Sequence, residues 1–353
     1  MPDTVVVRLC ASEKDFAAWD RYVFDLPGAH FFQTYGWLHS YQSMGFTPHV
    51  LVCEINGVIR AGVGFLVTKL PWLPWRIFII PHGPLPSIPS LQSWSLLMAR
   101  LDEICVESRA IYAQVYPHEL TENSVLLSRL HEIGFTDPPM FGSHRFSSTP
   151  VTVDLAGKSE AEVLMTFRPR TRQYIRKSLS SEFELRTTAD EATFHKVYEL
   201  VAQQAMQKGY SARPYASMRS TWEWFAPKGG VSLMQAWWKD TLVGAIYILY
   251  TGQTAYYLAG AFRREFSERR PAEFLHWHAI LEAMKRRVAT YDLVNTVSSG
   301  VEQFKRGFRP MEQSWHAPRT KVYRPFLARA TRAAEKVLKP IIRTLVRYQA
   351  DRS

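Results

Sequence analysis

Cysteine is scarce in this 353-residue chain: Cys10, Cys53 and Cys105 are odd in number, widely spaced, and none has a histidine at a zinc-like interval. Neither a disulfide framework nor a metal site is indicated, and three reduced, buried thiols are expected. Long apolar runs are missing as well. No stretch of about 18 apolar residues occurs, and the opening Met1-Pro2-Asp3-Thr4 has neither the basic region nor the apolar core of a secretory leader, so a cytoplasmic protein is expected. Charged residues make up only 21% against 46% hydrophobic and 13% aromatic, which excludes a disordered chain. No Ser-His-Asp or Cys-His arrangement is legible, and a covalent intermediate is not expected.

What is present points first to size: 353 residues exceed one ordinary hydrophobic core, so about two domains are expected. Eleven tryptophans imply aromatic-lined surfaces as well as cores. The formal charge of +11 is unevenly spread. Residues 321–353 hold nine Lys or Arg against Glu335 and Asp351, a net of +7 that leaves the body only mildly basic. Such a tail suits anionic lipid or a nucleic-acid backbone. Within it Leu327, Ala330, Ala334, Val337, Leu338, Ile341 and Leu345 recur at helical spacing beside Arg329, Arg332, Lys336, Lys339, Arg343 and Arg347, so an amphipathic basic helix is expected, kinked at Pro340. Two partners fit its apolar stripe, an anionic membrane surface met by residues 327–353 or the second domain of the chain itself.

No short repeat exists, but a long one does. Glu54 to Phe65 reads as strand, Asn-Gly turn, strand, and Trp237 to Ile248 repeats that design; Gly134-Phe135 and Gly307-Phe308 each close an apolar or basic helical stretch. The two offsets nearly agree, as expected for two tandem copies of one domain. The joint is placed near Ser147-Ser148-Thr149-Pro150, where turn formers gather before the strand Val151 to Leu155.

In the second half Ser159-Glu160-Ala161-Glu162 is a capping box that opens a helix through Leu164 and Phe167, and Pro169 forces a break or a fresh start. Thr188-Ala189-Asp190-Glu191 is a second box, followed by an apolar stripe that Gly209 stops. A third helix, about Ala272 to Ala289, follows the strand Ala255 to Gly260 and precedes the strand Tyr291 to Val294. That order is the cofactor-binding core of acetyltransferase-like (GNAT) folds. The expected fold is therefore α/β (α+β): two tandem GNAT-like acyltransferase domains at 1–148 and 149–325, mixed central sheets flanked by helices, and a basic amphipathic C-terminal helix at 326–353.

Several segments carry a more specific resemblance, and in the family's order. Thr171 to Lys177 is similar to a basic helix, Tyr256-Tyr257-Leu258-Ala259-Gly260 to a central strand, Tyr291-Asp292 to a later strand start, and Gly300 to Phe308 to a G-x-x-x-F-K-x-G-F pattern. Phe32 to Trp37 and Ile80 to Pro84 look like Q-[ST]-x-x-W and Y-x-P-R-G-P segments. Together, over roughly residues 30–325, they resemble the Fem family (FemABX) of peptidoglycan bridge-forming aminoacyltransferases. His82 stands where that family has arginine, and Val294-Asn295 where glycines are common. There is no room for the helical arm some members insert, so any tRNA must be gripped by the globular body.

The resemblance implies transfer of an amino acid from aminoacyl-tRNA to the peptide amine of a peptidoglycan precursor, lipid-linked or UDP-linked, with no cofactor beyond the tRNA. The enzyme would work as a monomer, in the cytoplasm and at the inner face of the membrane. Lys305 would sit beside the aminoacyl ester and stabilise the developing oxyanion, and Phe304 would shape its pocket. Lys208, Arg213, Tyr215 and Tyr256 occupy the places that bind the acceptor. Arg168, Arg172 and Arg176 fall four residues apart, one stripe of a helix able to follow tRNA phosphates, with a solvated basic face as the alternative. Glu302 and Asp292 are carboxylates in reach of a base's role by position.

Two other readings are open. One is a coenzyme A-dependent N-acyltransferase acting on a sugar or amino acid, although Phe262 to Ala272 lacks the glycines that normally cradle pyrophosphate and Pro271 removes one amide donor. The other is a non-catalytic tRNA- or membrane-binding module.

Overall fold

The computed structural model describes residues 3–70, 73–86, 90–118, 124–140, 146, 150–187, 190–209, 211–294, 299–312 and 315–333. These fall into two compact units, residues up to 148 with 216–221 and 314–344, and residues 149–215 with 222–313.

The first unit begins with β1 (Val5–Leu9), α1 (Glu13–Asp25), α2 (Tyr35–His39), β2 (Thr47–Ile55), β3 (Val58–Lys69), β4 (Arg76–Pro81), α3 (Leu91–Glu107), β5 (Ala110–Tyr116) and α4 (Val125–Glu132). Its Asn-Gly turn is the one the sequence announces: Asn56 at φ 52° and Gly57 at φ 77° join β2 to β3. Ser12 and Asp15 form a capping box at the start of α1. The apolar face of α3 covers the sheet, with Trp94, Leu97, Leu101 and Cys105 packed against Leu51, Val63, Phe78 and Val115.

The second unit contains β6 (Val151–Asp154), α5 (Glu160–Thr166), α6 (Pro169–Leu179), β7 (Glu184–Arg186), α7 (Glu191–Gln207) and the ends of α8 (Tyr215–Phe225), whose residues 216–221 group with the first unit. It continues through β8 (Val231–Trp238), β9 (Thr241–Thr251), β10 (Thr254–Phe262), α9 (Pro271–Lys285), β11 (Thr290–Asp292), α10 (Ser299–Arg306) and β12 (Met311–Glu312). Lys239, at φ 54°, sits in the turn between β8 and β9, the counterpart of Asn56. The Ser159 capping box is present, and Pro169 is the first residue of α6. At α7 the cap is Asp190, whose carboxylate accepts from the Thr193 amide, in place of the Thr188 expected from the sequence. One face of the sheet carries Ile246, Ile248 and Tyr257 against α9 (Phe274, Trp277, Ile280) and Ile175 of α6. On the other face the Tyr247 ring meets Phe194 of α7 and Trp222 of α8.

The chain then returns to the first sheet. β13 (Arg319–Val322) pairs antiparallel with β5, Arg319 opposite Val115 and Val322 opposite Tyr112. This corrects the expected second domain of 149–325, whose last residues complete the first sheet. The sheets read β1-β2-β3-β4-β5-β13 and β12-β6-β11-β10-β9-β8-β7. In each, three antiparallel pairings precede one parallel pairing, β4 with β5 and β10 with β11, and an antiparallel strand follows it. The duplication legible in the sequence is thus a duplication of topology.

Residues 325–333 are helical, and Leu327 and Ala328 pack with Ile111, Tyr112, Trp75 and Val322 of the first unit. Of the expected apolar stripe, Leu327 therefore meets the first unit, in place of the second domain or a membrane, while Ala330 is exposed. The remainder of the expected tail helix, with Pro340, lies outside the described residues.

Candidate active site

The two parallel pairings differ in length. In the first unit β4 and β5 stay paired from Arg76 opposite Ala110 to Pro81 opposite Tyr116. In the second, among the described residues β10 and β11 pair only at Thr254, Ala255 and Tyr256, opposite Thr290, Tyr291 and Asp292, and β10 runs on to Phe262. The divergence has a local cause. The Asp292 carboxylate accepts from the amides of Val151 (3.0 Å) and Val294 (2.7 Å), and Val294 adopts φ 49°, so the chain turns off the sheet. β10 itself carries a bulge between Tyr257 and Ala259. Among the described residues no strand pairs with this side of β10 beyond Tyr256, and an unpaired edge can receive an extended substrate arm.

Lys305, on α10, closes the start of this opening. It is 3% exposed, and its ammonium donates to the carbonyls of Leu293 and Val294, just past the end of β11. Burial pushes its pKa down to about 8, with the nearby Asp292 acting in the opposite sense. Burial likewise raises the Asp292 carboxyl, against the Val151 and Val294 amides and the Lys305 charge, which hold it down.

Aromatic rings surround the lysine. Its Nζ lies 5.6 Å from the centre of the Tyr257 ring. His276, on α9, stands edge-on to Tyr257 (4.6 Å) and faces Phe304 (5.2 Å), and its Nδ1 is 2.8 Å from the Tyr291 hydroxyl. Burial first, and then the Lys305 charge, drives the His276 pKa down to about 3, so this imidazole is neutral at physiological pH. Phe304 and Phe308 pack at 5.3 Å. The arrangement packs one desolvated cation among aromatic side chains, a setting that suits stabilisation of negative charge developing on a carbonyl oxygen.

Of the residues expected from the sequence, Lys305 and Phe304 lie here. Tyr256 does not join them: it sits opposite Leu249 while Tyr257 sits opposite Ile248, so the two phenols leave opposite faces, and Tyr256 is buried with its pKa raised by desolvation. Tyr257 is the tyrosine beside Lys305. Lys208 ends α7, exposed, its pKa lowered by partial burial; Gln204, one turn earlier, donates to the Phe262 carbonyl at the far end of β10. Phe262 lies five strand steps from Tyr257, about 16 Å, so Lys208 stands away from Lys305. Arg213 is half-buried in the following loop, and the Tyr215 ring lies 5.2 Å from His195 and 5.0 Å from Tyr198.

The arginine stripe divides. Arg168 and Arg176 are exposed, whereas Arg172 folds back to donate to the carbonyls of Met165 (3.3 Å) and Phe167 (2.7 Å), completing the end of α5. The Arg168 amide donates to Gly307 O at 3.0 Å, joining α6 to the Phe304 to Phe308 segment. Glu302 is exposed and pairs with Arg306 at 2.6 Å, a surface ion pair remote from a base's role.

The family-like segments of the first half serve packing. Gln33 is fully buried; its amide donates to the carbonyls of Gly64 and Pro81 and accepts from the Gly64 amide at 2.7 Å, tying β3 to the end of β4. His82 is buried and stacked on His30 at 4.2 Å, with its Nδ1 3.1 Å from that of His118. A neutral histidine cluster thus occupies the place of the expected arginine. His276 and Tyr257 were missed in the sequence, since a histidine on an apolar helix face and the second of two adjacent tyrosines carry no spacing signal. Among the described residues no group of His, Cys, Asp or Glu could hold a metal ion.

The fold defines the class: two tandem GNAT-like domains, the second with the shorter parallel pairing. Residues 166–306 match the acetyltransferase (GNAT) domain family. Among solved structures, the crystal structure of FemX superposes with a TM-score of 0.78 at 14% identity, covering 92% of this chain and all of that one. A tandem GNAT protein from the clavulanic acid biosynthesis pathway (TM-score 0.51, 11% identity, 90% and 98% covered) and L-PGS from Bacillus licheniformis (0.52, 10%, 97% of each) share the tandem architecture. No curated protein matches the chain by sequence.

Proposed function

We propose that this chain is an aminoacyltransferase that moves an amino acid from aminoacyl-tRNA to the peptide amine of a peptidoglycan precursor. The observation that carries the reading is Lys305: a desolvated ammonium at the splayed strands, inside the segment that resembles the Fem pattern, within a fold like that of FemX. The acceptor amine attacks the ester carbonyl, Lys305 meets the charge that develops on the oxygen, the new C–N bond forms and the C–O bond to the ribose breaks. The amine proton leaves to the departing ribose oxygen, so no protein base or cofactor is required. In this reading Arg168 and Arg176 meet tRNA phosphates, and Lys208, Arg213 and Tyr215 meet the acceptor's diphosphate.

A second reading, acyl transfer from coenzyme A, draws on the match to the acetyltransferase domain and on Arg270. That residue precedes the 15-residue α9, stacks on Tyr174 at 3.7 Å, and keeps its Nε buried without a hydrogen-bond partner, as a phosphate-binding group would before its ligand arrives. The two are separated by one experiment. The protein is incubated with a mixture of charged tRNAs, or with acetyl-CoA, and lipid-linked or UDP-linked pentapeptide, and the product is weighed by mass spectrometry. A mass gain of one amino acid residue from charged tRNA alone supports the first reading; an acetyl gain from coenzyme A overturns it.

A further inference from the structure

One end of the first sheet gathers exposed apolar and basic groups that the transfer reaction does not use. The loop between β3 and β4 is closed by the Leu70 amide on Trp75 O (3.0 Å), and it leaves Leu73 45% exposed. Beside it, the Arg76 amide donates to Arg109 O and the Arg76 guanidinium to Ser108 O, which brings in the end of α3, where Val106 is 59% exposed. The helix at 325–333 lies against the same loop, since Leu70, Trp75, Leu327 and Ala328 share one cluster and the Arg324 guanidinium covers the Trp75 ring at 4.2 Å. Its Phe326 is 85% exposed.

Around these side chains stand Lys69, Arg109, Arg329 and Arg332, all exposed and none drawn into an ion pair with a described residue. Towards this end of α3 two carboxylates, Glu103 and Glu107, share Arg100 at 2.8 and 3.3 Å. Residues 321–353 add to the imbalance, with nine basic side chains against two acidic ones.

We infer that this end of the first unit is a docking surface for an anionic lipid bilayer, with Leu73, Val106 and Phe326 entering the headgroup boundary and Lys69, Arg109, Arg329 and Arg332 meeting the lipid phosphates. The pairing of features selects the partner. A nucleic-acid backbone rewards the cations and gains nothing from three projecting aliphatic and aromatic side chains, whereas a bilayer rewards both. Trp75 under Arg324 is an amphipathic aromatic at the level expected of a membrane interface. No helix among the described residues is long and apolar enough to cross a membrane. The surface does not rest on the transfer reading; combined with it, it favours a lipid-linked acceptor.

The test is sedimentation of the full chain with phosphatidylglycerol-containing vesicles and with phosphatidylcholine vesicles, over a range of salt. Binding to the anionic vesicles, weakened by salt, is expected. Arg329→Gln with Arg332→Gln lowers the affinity about twenty-five-fold at low salt, each cation near the surface being worth about fivefold, and flattens the salt dependence. Leu73→Ser with Phe326→Ser lowers it about tenfold while leaving the salt dependence intact. Both pairs are exposed, so the thermal melt stays that of the parent. Equal binding to the two vesicle types overturns the inference, as does a Leu73/Phe326 variant that binds like the parent, which reduces the surface to plain electrostatic adsorption. Loss of tRNA binding in both variants with vesicle binding intact assigns the face to nucleic acid and also overturns it. Amino acid transfer is not the readout, so either proposal can fail while the other stands.

Discussion

Holding the Lys305 ammonium on the carbonyls of Leu293 and Val294 removes it from water, and the two sides of that placement are measurable on one variant. Lys305→Met keeps much of the stem and removes the charge. Loss of a preorganised oxyanion donor costs about 3–4 kcal/mol of transition-state stabilisation, so single-turnover transfer at saturating acceptor is expected to slow roughly a hundredfold to a thousandfold. A folded variant within about threefold of the parent returns Lys305 to a packing role. The stability of the same pair of proteins depends on pH. Lys305 falls from an ordinary 10.5 to about 8 in the folded state, so between those values the unfolded chain binds more protons, and the parent's stability rises with pH through that window. Denaturant unfolding at about pH 7 and about pH 10 should therefore show the stability difference moving in the parent's favour by about 3 kcal/mol. A difference that stays constant contradicts the burial of the charge.

Elements meet at the site through residues that leave no room. A Cβ on Gly307 would lie 2.4 Å from Thr171 Oγ1 and 2.9 Å from the Phe304 carbonyl, and the carbonyl cannot step aside. Gly307→Ala is expected to destabilise the second unit by about 1–3 kcal/mol and to slow transfer by tilting α10, with Thr171→Ala restoring only part of the loss, measured as melting midpoint and rate. Sequence patterns announced some of this. The β2–β3 turn was legible because Asn56 and Gly57 tolerate positive φ, the start of α5 because Ser159 and Glu162 are spaced for a reciprocal cap, and Lys305 with Phe304 through the motif around them. Tyr256 was preferred to Tyr257 because alternation along a strand does not say which face meets α9. β13 escaped notice because Arg-Thr-Lys-Val has no apolar alternation and its partner, β5, lies about two hundred residues earlier in the chain.

For the molecule as a whole, the first unit carries an acid-sensitive interior and a borrowed strand. His30 and His82 are buried, with the half-buried His118 beside them and Trp315 tilted against His118 at 4.3 Å, and desolvation lowers all three pKa values, His118 to about 4. Folded values below the unfolded 6.5 mean that the unfolded chain takes up more protons, so stability is lost as pH falls below 6.5. Unfolding of the first unit between about pH 6.5 and 4, blunted by His82→Phe, is the expected result, followed by hydrogen exchange at β4 and β5. The borrowed strand gives a second test. Ending the chain at residue 318 removes β13 and bares the edge of β5, so the first unit, although earlier in sequence, should melt at lower temperature and be cleaved faster by protease, while the second unit keeps its own transition. β13 also sets an order on biosynthesis. A ribosome making this protein releases β1 to β5 early, yet the strand that closes their sheet emerges only after the whole second domain has been translated. Through that interval the nascent chain carries an unfinished sheet with an open edge, a state in which chaperones or a second nascent copy compete for the place that residues 319–322 will finally take.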